Sequence, residues 1–265
     1  MVKMAGGLTD EQLQRYHRDG FLHLPGVFSL DEVKAIQREC ARLQGIPEMA
    51  DPRNLRTVTR RTTAGGMIVD RLDPVADLSE VFQSVVRDPR LLAVAESVLG
   101  SPSCLFKDKL IFKNPGAFGY GAHQDYTVWR GLGVPATGLL SILLAVDAAN
   151  AANGAVRFYP GLHSDHHCEA ELEDIFGPAS GITPAEVLAR SEGVVPELQP
   201  GDVVVFHSLC PHDSDPNHTA ESRRSCFITY SDATYGDLRE AYYQAFREMM
   251  KADRAAAGQT DWFFR

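Results

Sequence analysis

A chain of 265 residues, 44% of them hydrophobic, is long enough to bury one large core. Its formal net charge of −9 removes any overall attraction to nucleic acid or to an anionic membrane surface, and no apolar run reaches the ~18 residues that a membrane helix needs. Residues 1–7 lack the charged and apolar regions of a signal peptide, and the five cysteines are scattered without CxxC spacing, so a reduced, cytoplasmic setting is the expectation.

The first hundred residues read as mostly helical. Thr9-Asp10-Glu11-Gln12 is a capping box that opens a short helix to about Arg18. Phe21-Leu22-His23-Leu24 alternates like a strand and stops at Pro25-Gly26. A second capping box, Ser29-Leu30-Asp31-Glu32, opens a helix to about Leu43, with Val33, Ile36 and Leu43 at helical spacing. Residues 49–66 are polar, basic and aperiodic. With Arg53, Arg56, Arg60 and Arg61 ahead of Ala64-Gly65-Gly66, they read either as a solvated loop or as a lid that offers arginines to an anionic substrate. Helical spacing resumes from Leu78 to Leu99, broken at Pro89 and stopped by Gly100.

From Ser103 the pattern turns to strands. Leu105-Phe106, Lys109 to Phe112, Thr137 to Asp147, Ala155 to Tyr159, Val194 to Leu198, Asp202 to His207 and Ser225 to Ser231 are β-like segments between Pro/Gly turns. Thr183-Pro184-Ala185-Glu186 reads as a third capping box opening an inserted helix, and Asp237 to about Ala257 as an amphipathic helix. Strands following a helical start, without βαβ alternation, point to a mainly β fold: an antiparallel barrel or sandwich with flanking helices on one side. One domain is expected, with residues 1–100 as helical support, 103–231 as β core and 237–258 as a C-terminal helix.

Chemistry concentrates in two stretches. In a strand, His123 and Asp125 point to one face and Gln124 to the other. One imidazole and one carboxylate would then converge, and a second histidine from a distant segment would complete a 2-His-1-carboxylate face that leaves positions open for non-haem Fe(II). Periodicity leaves the third ligand open between His207, which continues the strand Val203-Val205-His207, and His212, which follows Pro211 in a turn. Arg223, eleven residues past His212, is far enough along to return antiparallel and face the same cavity, where a guanidinium binds a carboxylate with two parallel hydrogen bonds.

Several further motifs occur in order around these stretches: Phe112-Lys113-Asn114-Pro115-Gly116, Asn153-Gly154-Ala155-Val156, Pro160-Gly161-Leu162-His163, Pro200-Gly201-Asp202, then His212-Asp213-Ser214-Asp215-Pro216-Asn217 and Arg223-Arg224. The series resembles the phytanoyl-CoA dioxygenase family of Fe(II)/2-oxoglutarate oxygenases, from the Asp19-Gly20-Phe21 region to about Tyr230. The resemblance implies a double-stranded β-helix (jelly-roll, cupin-like) core, with N-terminal helices packed on one face. It favours His212 as the third ligand, because His212-Asp213-Ser214 matches a His-Gly-Ser triplet with Asp213 in place of Gly. It further implies Fe(II) held by His123, Asp125 and His212, with 2-oxoglutarate and O2 as co-substrates. Arg223 would take the distal carboxylate of 2-oxoglutarate, helped by Ser214, with Lys109 a further contact and Lys113 a weaker one. Tyr126, Trp129 and Asn217 would contact substrate.

The activity so implied is hydroxylation of a C–H bond in a small metabolite, with release of succinate and CO2. Asp125 matters here, since related halogenases replace this carboxylate with a small residue to admit halide. Phosphonates, amino-acid derivatives and secondary metabolites are candidate substrates, and an acyl-CoA remains open. No nucleic-acid or membrane partner is expected. Two other readings keep the barrel: a zinc-type hydrolase or lyase, with a metal-activated water, and a ligand-binding barrel without catalysis.

Overall fold

A computed structural model describes residues 6–167 and 182–265. Helix α1 (Asp10–Asp19) is capped by Thr9, whose hydroxyl accepts from the Gln12 amide while the Gln12 side chain accepts from the Thr9 amide. It ends at Gly20, whose φ of 81° only glycine adopts freely. Helix α2 (Leu30–Gln44) starts from the same box at Ser29 and Glu32, and buries Val33, Ile36, Cys40 and Leu43 along one face. Each large apolar side chain in that stripe contributes about 1.5–3 kcal/mol when removed from water. Two more helices, α4 (Glu80–Val85) and α5 (Pro89–Leu99), complete this layer. Pro89 stands in the first turn of α5, where the missing N–H costs nothing.

Seven strands form the larger sheet: β1 (Phe21–Leu24), β8 (Val203–His207), β6 (Leu139–Ala145), β10 (Arg223–Asp232), β4 (Ser103–Lys113), β3 (Met67–Leu72) and β2 (Thr57–Arg61), in that spatial order. A smaller sheet runs β5 (Tyr120–His123), β9 (His212–Ser214), β7 (Val156–Phe158). All paired strands are antiparallel.

Alternation sorts the side chains between two cores. Leu140, Ile142 and Leu144 of β6, Val203 and Val205 of β8, and Cys226, Ile228 and Tyr230 of β10 pack outward against α1, α2, α4 and α5. Their neighbours Leu143, Ala145, Val204, Phe206 and Phe227 point inward, onto Phe158 of the smaller sheet. The two facing sheets make the double-stranded β-helix. Helix α7 (Arg239–Ala256) closes the open end of the barrel, packing Tyr242, Tyr243, Phe246 and Met250 on Phe106, Trp129 and Leu139.

Three sequence expectations change. Residues 49–66 are not one aperiodic loop: a short helix α3 (Pro47–Ala50) precedes β2, which pairs with β3 as an edge hairpin, with turns on either side. Three of its four arginines are paired within the protein. Arg56 is buried and ion-paired to Asp77, Arg53 pairs with Asp51 and Asp261, and Arg60 pairs with Asp70 while lying over the Tyr120 ring. The third box yields only a one-turn helix α6 (Ala185–Leu188), led by Pro184 without a side-chain cap. Val194 to Leu198 makes isolated bridges to Phe158 and Ala149 rather than a strand.

Candidate metal centre and cavity

Strand β5 ends at His123, Gln124 remains extended, and Asp125 opens a 3-10 turn. The two-residue alternation therefore survives the end of the strand. Gln124 points away and donates to the carbonyls of Asp165 and Leu209. His212 sits opposite His123 in the β5–β9 register. The three side chains offer ligand atoms that all lie within 4.8 Å of one another.

Their orientation follows from hydrogen bonds. His123 Nδ1 faces the Gly121 carbonyl at 2.8 Å and His212 Nδ1 faces the Cys210 carbonyl at 3.0 Å. A carbonyl only accepts, so Nδ1 carries the proton in both rings and Nε2 keeps its lone pair for a metal. His123 Nε2 lies 3.8 Å from Asp125 Oδ1, while the other carboxylate oxygen accepts from Ser141 Oγ at 3.1 Å. Burial pushes the His123 pKa down and that of His212 to about 4, so both rings are neutral at pH 7. For Asp125, burial pushes upward, but His212, Lys109 and His123 outweigh it and hold the carboxyl below its ordinary value. Two neutral imidazoles and one carboxylate are the donor set that suits Fe(II) with open positions.

Register also separates the two candidate histidines. In β8, His207 shares the face of Val203 and Val205, which look toward the helical layer. Its Nδ1 accepts from the Leu209 amide, and its ring lies 5.4 Å from that of His163. His207 is not in the metal group. Asp213, between His212 and Ser214, points out of the barrel and accepts from Arg157 and Tyr159, each at 2.7 Å.

Deeper in the barrel lies a second polar group. Arg223 is buried, donating to Ser225 Oγ and to the Gly154 carbonyl at 2.7 and 2.6 Å, and its Nε has no partner among the described residues. Lys113 is its partner in the β4–β10 register and donates to Ser214 Oγ at 2.7 Å. Gly154 is required here, because a Cβ would stand 2.3 Å from the Asp215 carbonyl and 2.7 Å from Lys113 Cε. No described carboxylate is within ion-pair distance of either cation. Burial and the neighbouring Arg223 push Lys113 down to about 7, and burial pushes Arg223 down to about 10. Two buried cations without an acid in reach are an arrangement that could pair with an anion.

Lys109 lies four residues from Lys113 on the same strand, about 13 Å away by strand rise; Lys113 stands beside Ser214 and Arg223, whereas Lys109 lines the cavity with His123 and Asp125. Asn217 takes the turn role: its amide donates to the carbonyls of Lys113 and Glu221, and its oxygen accepts from Thr219. Tyr126 donates to the Val134 carbonyl and packs its ring edge against His166, away from the cavity wall. Trp129 does line the cavity.

That cavity, of about 420 Å³, opens beside the metal group. Val58, Thr59, Arg71, Lys107 and Lys109 form one wall, His123, Asp125, Val128 and Trp129 the floor, and α7 the cover through Tyr242, Phe246, Met249, Met250, Asp253 and Arg254. The covering role of α7 escaped sequence reading. Its amphipathic face was visible, but not what it faced.

Comparison with known proteins agrees with this architecture. A family model described as phytanoyl-CoA dioxygenase matches residues 16–225. A methylphosphonate hydroxylase of Gimesia maris is 29% identical, over 89% of this chain and 85% of that protein. A 2-aminoethylphosphonate dioxygenase of an uncultured bacterium is 27% identical, over 91% and 88%. Among solved structures, the epimerase SnoN in complex with Fe3+, alpha-ketoglutarate and nogalamycin RO superposes with a TM-score of 0.71 at 25% identity, covering 85% of this chain and 84% of its own.

Proposed function

As the chain belongs to the phytanoyl-CoA dioxygenase family of Fe(II)- and 2-oxoglutarate-dependent dioxygenases, we propose that it hydroxylates a C–H bond of a small molecule, with release of succinate and CO2. His123, Asp125 and His212 hold the ferrous ion, and Arg223, Lys113 and Ser214 receive the distal carboxylate of 2-oxoglutarate. The observation that carries this reading is the convergence of three ligand atoms whose imidazoles are turned, by backbone carbonyls, to present Nε2.

When bound, the iron and the keto acid together supply the oxidising power that removes hydrogen from an unactivated carbon. The protein's own part is positional. Ser141 orients the Asp125 carboxylate, and Thr229 braces Ser141 at 3.0 Å. Lys113, which burial and Arg223 hold at about 7, regains full charge when a carboxylate binds beside it, which offsets its burial. Phe158, Phe206 and Phe227 keep water from the barrel interior. Helix α7 and Trp129 exclude it from the mouth.

Anaerobic addition of Fe(II) and 2-oxoglutarate is expected to produce a weak visible charge-transfer band, and Arg223→Ala to require at least about tenfold more 2-oxoglutarate for it. Absence of the band in the wild type would sink the assignment. A hydrolase built on the same three ligands would instead turn over without O2, which a succinate and oxygen-uptake assay detects.

A further inference from the structure

Resting on that reading, we propose that the substrate is a small organic oxyanion, a phosphonate or carboxylate, whose charged group is held by Lys109 and Arg254. On β4 the side chains of Lys107, Lys109, Ile111 and Lys113 share the face that looks into the barrel. Lys113 belongs to the Arg223 end. Lys107 is neutralised by Asp73 at 2.6 Å and also donates to Tyr242. Lys109 has neither hydrogen bond nor ion pair among the described residues, and its ammonium lies 5.0 Å from the centre of the Phe227 ring.

A second cation of the lining is likewise without an acid. Arg71 lies 3.5 and 3.7 Å from Asp70 and Asp73, whereas Arg254 has no described ion pair and spends one nitrogen on the Thr57 carbonyl. Of the two carboxylates lining the cavity, Asp125 is committed to the metal and Asp253 is exposed.

One oxyanion with two or three oxygens can pair with both cations at once. A cation or a neutral hydrocarbon leaves both unpaired. The volume suits a small molecule, and Val58, Phe246, Met249 and Met250 offer apolar contact to a short carbon chain.

The test is calorimetric titration with propylphosphonate, butyrate and, as the neutral counterpart, butyramide. It is run on the metal-free protein and on the protein loaded anaerobically with Fe(II) and 2-oxoglutarate. At least one anion is expected to bind ten or more times tighter than butyramide, and the tighter of the two identifies the head group. Lys109→Met should weaken that anion at least tenfold while leaving the 2-oxoglutarate band in place; Lys109→Arg should retain most of the affinity, and Arg254→Gln should weaken it severalfold. Equal binding of anions and butyramide, or unchanged anion affinity in Lys109→Met, overturns the proposal. Loss of the band in Lys109→Met overturns it as well, by assigning Lys109 to the co-substrate. A wild-type protein without the band refutes the iron reading instead, and the metal-free titration still decides the anion site.

Discussion

The two ends of strand β4 are both cationic, yet they are built differently. At the Lys113 end, the partners come from strands in fixed register: Arg223 from β10, Ser214 from β9 and the Gly154 carbonyl from the turn before β7. At the Lys109 end, they come from an edge hairpin, a 3-10 turn and the C-terminal helix. A site assembled from paired strands has little freedom to move. One that a single helix closes is recut by changing that helix. On the proposed reading, the contrast puts constancy at the paired end, where the co-substrate would bind, and variation at the covered end, where the substrate would bind.

The largest test of this division is Asp125→Ala, which removes a ligand standing between the two ends. Activity is expected to fall by more than the ~10–100-fold typical of losing a residue that merely orients a ligand, with iron content falling alongside in metal analysis. Retained iron and activity would break the comparison at its centre.

Acid should act next, and its effect on stability is read on the metal-free protein. The unfolded His212 takes a proton below about pH 6.5, whereas the folded ring resists it until about 4. Stability is therefore lost as pH falls through that window, by up to about 3 kcal/mol for this group. Half-buried His207 works in the same direction, also at about 4. Thermal melts of the metal-free protein from pH 7 to 4 check this, and His212→Asn should flatten the slope.

Lys113→Met sharpens the contrast between the ends. It is expected to raise the 2-oxoglutarate requirement about tenfold, read from the titrated visible band, and to leave propylphosphonate affinity unchanged. The smallest effect is expected for Asp213→Gly. Only an outward network with Arg157 and Tyr159 is lost, about 1 kcal/mol or less, with iron affinity unaltered in a competition titration.

Local features of this chain were legible from its residues alone. The Thr9 and Ser29 capping boxes start the helices where they stand, because capping is settled within four residues. The alternation of β8 and β10 was equally readable, as was the shared face of His123 and Asp125, because side-chain direction in extended chain repeats every two residues. The ordered motifs then named the fold and favoured His212.

Other decisions needed partners far along the chain. Periodicity says which residues share a face, not which face looks inward. Only the pairing of β8 with β1 and β6 turned His207 toward the helices, and only the β5–β9 register brought His212 to His123. The same holds for which lysine of β4 stands beside Arg223, for the arginines of residues 49–66 and for Asn217. Each has a polar side chain whose role depends on what a distant segment offers it. The sequence by itself determined the local elements and the ligand types; tertiary pairing decided which cation meets which anion, because charge and hydrogen bonding act across space and not along the chain.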